Sequence, residues 1–129
     1  MWTPEDAMKR ISNGSLLPDA LFDDLDTDAL LDSRDGSFDD DWIRSAETIQ
    51  AAWQQFADSA RYTSAIDAAR EAAFKRTFNA SHGHHDLAAT VSDDFEIICK
   101  RSLLGIELPF IIGLQEAYDA QQIPNRTVA

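Results

Sequence analysis

Aspartate is the residue type that most strongly suggests chemistry in this chain of 129 residues. The stretch DALFDDLDTDALLDSRDGSFDDD, residues 19–41, holds ten aspartates, one arginine and no glutamate. Clustered carboxylates can bind divalent cations, cap helices or face a positively charged partner. Each of these roles requires a different spacing of the aspartates along the chain. The observed spacing therefore distinguishes the three interpretations.

A calcium loop is the first interpretation, and the spacing does not support it. The segment DSRDGS has the aspartate and glycine rhythm of an EF-hand loop, in which glycine occupies position six. With Gly36 at that position, Leu31 and Trp42 fall at positions one and twelve, where oxygen ligands are required. Only weak, generic binding of divalent cations stays open.

Helix capping accounts for some of the aspartates. A carboxylate at a helix start accepts backbone hydrogen bonds and faces the positive end of the helix dipole. Asp19 follows Pro18 in a predicted first turn, and Asp39, Asp40 and Asp41 precede a predicted long helix. Caps therefore explain about four of the ten carboxylates.

The remaining aspartates are predicted to form a charged docking face. Asp24, Asp28 and Asp32 are four residues apart, so in a helix they stack along the side opposite the leucines. Like charges at this spacing repel each other, and a basic partner that neutralises them would explain the face. A merely solvated face is the alternative. The candidate partner-binding residues are Asp23, Asp24, Asp26, Asp28, Asp32 and Asp35.

All three histidines lie in one predicted loop, SHGHHD. His82, His84 and His85, followed by Asp86, are residue types that bind zinc, nickel or copper. A specific site usually takes ligands from separated elements, and the sequence has no second cluster of histidine or cysteine. These four residues are weak metal candidates, no specific metal site is predicted, and a helix cap is the simpler role for Asp86.

Catalytic motifs are absent from the sequence. It has no phosphate-binding glycine loop, no GxSxG and no HExxH. The single cysteine, Cys99, falls in an apolar stripe without an obvious base, which favours a buried core thiol over a nucleophile. We therefore expect no enzyme activity, no catalytic residues and no cofactor.

The elements that position these residues are predicted to be helices. The segment TPED predicts the start of a first helix, with threonine as the cap and proline at the first position. This helix is predicted to end at Asn13-Gly14. Pro18 opens a short helix, and Thr27 can cap a further turn or two. Gly36 then breaks the chain.

The alanine-rich region from residue 39 to residue 78 contains no glycine and no proline. Apolar residues recur there at three- and four-residue steps, which is the period of an amphipathic helix. Two helices are predicted, over about 40–59 and 63–78, with a break near SARYTS, and one bent helix is the alternative.

The second half continues with helices. One is predicted to start near Asp86, with a second cap at Ser92, and to end at Gly105. Pro109 opens the last helix, within the apolar segment LGIELPFIIGLQEAY. This segment can be the central core helix or the wall of a groove for a partner helix, and both interpretations stay open.

The sequence as a whole predicts an all-α fold, a single compact domain of about five to seven helices over residues 1–129. Its acidic part is residues 1–41, and its helical core is residues 42–124. The net charge is −12, and the acidic part holds twelve acidic against three basic residues. Phosphate backbones and anionic lipids repel such a chain, so direct binding to nucleic acid or membranes is not expected.

A basic protein is the partner that this charge favours. The N-terminus lacks the apolar segment of a secretory signal, and a lone cysteine needs no oxidising compartment, so a cytoplasmic location is expected. The leading hypothesis is a non-enzymatic protein that masks a basic surface, most concretely an immunity- or antitoxin-type inhibitor of a toxin. Two other hypotheses stay open: an adaptor or chaperone that binds a partner helix in an apolar groove, and a metal-dependent enzyme that uses the His82–Asp86 cluster.

Overall fold

The computed structural model describes residues 2–125 as a bundle of seven helices, without strands in that range. The helices are α1 (Pro4–Ser12), α2 (Asp19–Phe22), α3 (Thr27–Ser33), α4 (Ser37–Gln55), α5 (Ser59–Ala80), α6 (His85–Leu104) and α7 (Pro109–Asp119). The predicted all-α fold class is confirmed. Over the described residues, no helix combines the length and the hydropathy that crossing a bilayer requires.

Helix α6 lies at the centre of the bundle. Eleven of its twenty residues are buried, and it contacts α4, α5 and α7. Phe95 of α6 packs against Trp2 and Tyr118, with ring centroids 4.8 and 5.1 Å apart. The interpretation of LGIELPFIIGLQEAY as the central helix is wrong, because α7 buries only one side. The buried residues of α7 are Ile111, Leu114, Ala117 and Tyr118.

Several helix ends follow the local sequence signals. At the start of α1, the hydroxyl of Thr3 accepts a hydrogen bond from the backbone N–H of Asp6 at 3.1 Å. Gly105 ends α6 with a φ of 69°, a left-handed conformation that glycine adopts without the clash of a Cβ. Pro109 begins α7. These predictions are confirmed, because each depends on residues within one helical turn.

The break in the alanine-rich region lies earlier than predicted. Helix α4 ends at Gln55 and α5 begins at Ser59, so the residues SARYTS are already helical. Phe56 between them is extended, and its ring lies 5.4 Å from that of Trp53 and 6.3 Å from that of Tyr62. Packing among three aromatic side chains accompanies this turn, and no glycine or proline marks it in the sequence.

Two predicted caps in the second half are also wrong. Helix α6 continues through Ser92, which is buried, because its apolar stripe extends over both sides of that residue. Asp86 lies inside the first turn of α6 instead of capping it. The cap is His84, whose Nδ1 accepts a hydrogen bond from the backbone N–H of Leu87 at 3.2 Å.

Alkylation of Cys99 tests the packing of α6. The thiol is fully buried, and this burial, together with the Glu5 carboxylate, raises the pKa of Cys99 to about 12. Because the thiolate is the reactive form, iodoacetamide at pH 8 should modify the native protein at least about 100-fold more slowly than the chain unfolded in urea. Mass spectrometry of a time course measures both rates. Similar rates would contradict the described packing around Cys99.

Candidate partner-binding surface

The acidic segment, residues 19–41, lies on the outside of the bundle as α2, α3 and the start of α4. Its apolar residues are partly buried against the core, namely Leu21, Phe22, Leu25, Leu30 and Leu31. This contact leaves the carboxylates on the solvent side. All six candidate partner-binding residues are exposed: Asp23, Asp24, Asp26, Asp28, Asp32 and Asp35.

The arrangement of these carboxylates differs from the predicted stack of three. Asp28 and Asp32 lie one turn apart on α3, whereas Asp24 lies between α2 and α3 with a φ of 57°. The stack is wrong at Asp24 because a left-handed residue interrupts the helix, and aspartate tolerates this conformation better than most residues. Asp26, instead of Thr27, caps α3 by accepting a backbone hydrogen bond of 3.0 Å.

Only part of this charge is neutralised within the bundle. Asp19 forms an ion pair with Arg76 of α5. Asp28 has an oxygen 3.5 Å from Nε2 of His84. Six exposed carboxylates of the segment have no ion pair with any residue of the range 2–125, namely Asp23, Asp24, Asp26, Asp32, Asp39 and Asp40. The segment therefore presents negative charge that the described part of the chain leaves uncompensated.

Two arginines attach the acidic segment to the bundle. At its start, Nε of Arg76 donates to the carbonyl of Leu17 at 2.8 Å, and the same guanidinium pairs with Asp19. Leu17 has a φ of 53°, a conformation that costs about 1–2 kcal/mol for an L-residue. Burial of its side chain and the bond to Arg76 stabilise it there. At the end of α3, Arg34 binds Asp94 of α6.

The carboxylate of Asp94 is fully buried and accepts four hydrogen bonds. Both terminal nitrogens of Arg34 donate to it at 2.8 Å. Nε1 of Trp42 donates at 2.8 Å, and the hydroxyl of Tyr118 donates at 2.6 Å. We call these four residues the Asp94 network. It joins the end of α3 to α4, α6 and α7.

Burial and pairing act in opposite directions on the charges of the Asp94 network. Burial by itself would lower the pKa of Arg34, but the carboxylate of Asp94 raises that pKa well above its usual range, so the guanidinium stays charged. Burial and the same carboxylate raise the pKa of Tyr118, which therefore stays a hydrogen-bond donor. The four donors offset the cost of removing the carboxylate from water.

An open cleft of about 270 Å³ lies beside the Asp94 network. We call it the acidic cleft, because Asp35, Asp39 and Asp93 line it together with the buried Asp94. Asp93 is half-exposed and pairs with Arg70 at 2.9 Å. Burial raises the pKa of Asp93, and the nearby Arg70 counteracts only part of that rise. The cleft thus places several carboxylates around a space that a cationic side chain can enter.

A larger and more apolar depression, of about 390 Å³, is lined by Phe38 of α4, by residues of α7 and by residues of the segment 120–125. We call it the apolar groove. Phe38 and Phe110 meet edge to face in its wall, with ring centroids 5.1 Å apart. Gly113 and Ala117 of α7 continue the lining, and Glu116 lies at the same depression. The segment LGIELPFIIGLQEAY therefore does contribute a groove wall.

The metal candidates lie around the start of α6. His84 caps the helix, and Nδ1 of His85 lies 3.9 Å from an oxygen of Asp86. His82 is exposed with a φ of 58°, and the ring of His85 packs edge-on against Phe74. Among residues 2–125, no three side chains of histidine, cysteine, aspartate or glutamate form a group that could hold a metal ion. The loop joins α6 through His84, whose ring and backbone carbonyl both accept hydrogen bonds from the first turn of the helix.

The acidic segment, the Asp94 network and the apolar groove all fall within the region matched by one protein-family model. The model, described as Immunity protein PIM1, matches residues 7–125. The chain belongs to this family. It is therefore an immunity-type protein, which confirms that part of the functional prediction, and membership implies that it binds a partner. Comparison with curated proteins gave no match.

Sequence analysis missed Asp94, although this immunity protein attaches its acidic segment there. The residues Ser-Asp-Asp before an apolar stripe predict a helix start, so the sequence gives Asp94 no separate role. Its partner Arg34 lies 60 positions away, beyond any local pattern. One signal was present: Arg34 is the single base among the ten aspartates of residues 19–41.

Loss of the Asp94 charge tests the network. Asp94→Asn should lower the free energy of unfolding of this immunity protein by about 3–5 kcal/mol, because it leaves the buried guanidinium of Arg34 without a counter-charge. Asp93→Asn is the matched control, and its partly exposed ion pair should change stability by less than about 1 kcal/mol. Urea unfolding followed by circular dichroism measures both. Small and equal losses would mean that the network does not hold the helices together.

Proposed function

We propose that this immunity protein neutralises a toxin by binding a basic surface of the toxin through the acidic segment. The observation that carries the proposal is the exposure of six carboxylates on a segment that two arginines attach to the bundle, in a member of an immunity protein family. The six residues are Asp23, Asp24, Asp26, Asp28, Asp32 and Asp35.

The distribution of charge supports a basic partner. The chain has a net charge of −12, and residues 1–41 hold twelve acidic against three basic residues. Carboxylates this close repel one another, and a cationic surface relieves that repulsion on binding. The attraction also acts before contact, over a Debye length of about 8 Å at physiological ionic strength, and so accelerates association.

The attachment of the acidic segment supports binding without a prior folding step. A disordered acidic tail would lose conformational entropy when it meets its partner, and this loss weakens binding. Here Arg76 holds the start of the segment, Arg34 holds the end of α3, and the leucines of the segment pack on the core. The carboxylates are therefore presented in a fixed arrangement, as an inhibitor of high affinity requires.

Inhibition in this proposal is stoichiometric and needs no bond to be made or broken. The bound carboxylates occupy the cationic surface with which the toxin engages its own target, and the helices behind them exclude that target by bulk. The proposed place of action is the cytoplasm, where the buried thiol of Cys99 stays reduced.

Charge removal on the acidic segment tests the proposal. The triple variant Asp24→Asn, Asp28→Asn and Asp32→Asn should stay folded, since all three side chains are exposed. Its association with the toxin should slow by about tenfold at low salt and depend less on salt, because the removed charges steer the encounter. Stopped-flow measurements at about 20 mM and about 300 mM salt give the rates. The toxin for this test is identified by screening the products of neighbouring genes for growth arrest that co-expression of this chain relieves.

A second triple variant provides the matched control. Glu47→Gln, Asp67→Asn and Glu107→Gln remove the same number of exposed charges from other parts of the surface. This control should associate nearly as fast as the natural chain, because close and oriented charges affect the encounter more than net charge does. If the association rates of both variants fall by the same factor, net charge alone controls the encounter. If neither loses rate, the acidic segment is not the binding surface.

A further inference from the structure

Gly113 is an unexplained residue in α7. It lies in the middle of the helix, it is exposed, and its φ is outside the left-handed range that favours glycine. A Cβ built at this position meets no atom within 4 Å. Glycine inside a helix costs about 0.5–1 kcal/mol relative to alanine. Neither a turn nor close packing in the described part of the chain requires that cost.

Because Gly113 lies in the wall of the apolar groove, its lack of a side chain affects the space within that groove. Gly113 lines the apolar groove, so any larger residue would project toward this depression of about 390 Å³. Beside it, Pro109 is exposed and Phe110 is partly buried, so apolar side chains stay accessible in the groove. The absence of a side chain at residue 113 therefore leaves an apolar surface open at the cost of helix stability. An occupant that binds in the groove accounts for that cost.

The groove and the acidic cleft share a wall. Phe38 lines the groove, and the next residue, Asp39, lines the cleft. Between them, the guanidinium carbon of Arg34 lies 4.7 Å from the ring centroid of Phe38. Arg34 also donates to the carbonyl of Pro124, a further residue of the groove, at 3.1 Å. An apolar depression thus lies directly beside a cleft lined with carboxylates.

We infer that the groove and the cleft together receive one segment of the toxin, which carries a large apolar side chain next to an arginine or lysine. The apolar side chain fills the space over Gly113, and the cation faces Asp39 and Asp93 in the cleft. Charge complementarity selects this occupant over an acidic or purely apolar one. The inference rests on the proposed function, because the segment belongs to the toxin. It adds a buried anchor, which supplies most of the affinity in many interfaces.

Filling the groove tests the inference with the toxin. Gly113→Leu places a side chain in the groove, and it should raise the melting temperature slightly because leucine favours the helix more than glycine does. Affinity for the toxin should fall by at least about tenfold, as expected when an anchor loses its pocket. Ala51→Leu, on the exposed surface of α4, is the control of equal bulk and should bind within about twofold of the natural chain. Isothermal titration calorimetry measures the three affinities.

Two peptides test the same site without the toxin. Acetyl-Phe-Arg-amide, at millimolar concentration, should shift the backbone amide resonances of Phe110, Gly113 and Ala117 in the natural chain. Acetyl-Phe-Glu-amide should shift them several-fold less, because the cleft repels its carboxylate. Both effects should disappear in Gly113→Leu. No shift at these residues, or equal shifts with the two peptides, would overturn the inference.

The outcomes separate this inference from the proposed function. Normal toxin binding by Gly113→Leu would overturn the inference, while the aspartate triple variant would still report on the acidic segment. Loss of binding in Gly113→Leu with no effect of the aspartate triple variant would reject the acidic segment as the interface and keep the groove. If Gly113→Leu melts at a lower temperature than the natural chain, its binding loss could reflect a damaged fold, and Gly113→Ala is then measured as the second variant. That single methyl group should stabilise α7 and weaken binding by a smaller factor than leucine.

Discussion

The bidentate contact between Arg34 and Asp94 fixes where the acidic segment lies. Removing two opposite charges from water costs several kcal/mol per ion, and their attraction offsets this only when the remaining hydrogen bonds are also made. Here Trp42 and Tyr118 complete the set on the carboxylate, and the side chain of Asp94 has no exposed surface. An apolar pair could be equally stable. It would not fix the direction of α3 in the same way, because only the charged pair demands one geometry.

The same contact shapes both depressions of the candidate surface. Arg34 lies over the ring of Phe38, donates to Pro124 and lines the acidic cleft, so its guanidinium is part of the wall between cleft and groove. Any change that moved Arg34 would alter the two depressions together. The coupling explains how a segment rich in repelling carboxylates stays attached to the bundle, since its one arginine donates two hydrogen bonds to the buried carboxylate of Asp94.

The sequence predicts structure correctly where residues within one helical turn determine it. Thr3 and Gly105 have local roles at helix ends, and both follow from residue type. The turn at Phe56 and the role of Asp94 depend on side chains that meet only after folding, so neither has a local signature. For the candidate surface, the exposure of the aspartates followed from composition, whereas the groove beside Gly113 depends on the packing of α4 against α7.

Three features of the acidic segment and of the groove wall lower the stability of the fold. Repulsion among the carboxylates of α3, the left-handed conformation of Asp24 and the glycine inside α7 each lower stability. Natural proteins tolerate such costs at binding surfaces, where a partner recovers the energy. A solvated surface would need none of them, because glutamate or lysine on α3 and alanine at position 113 would be equally soluble and more helical. Their occurrence in the acidic segment and in the wall of the groove therefore argues that binding, more than solubility, set these residues.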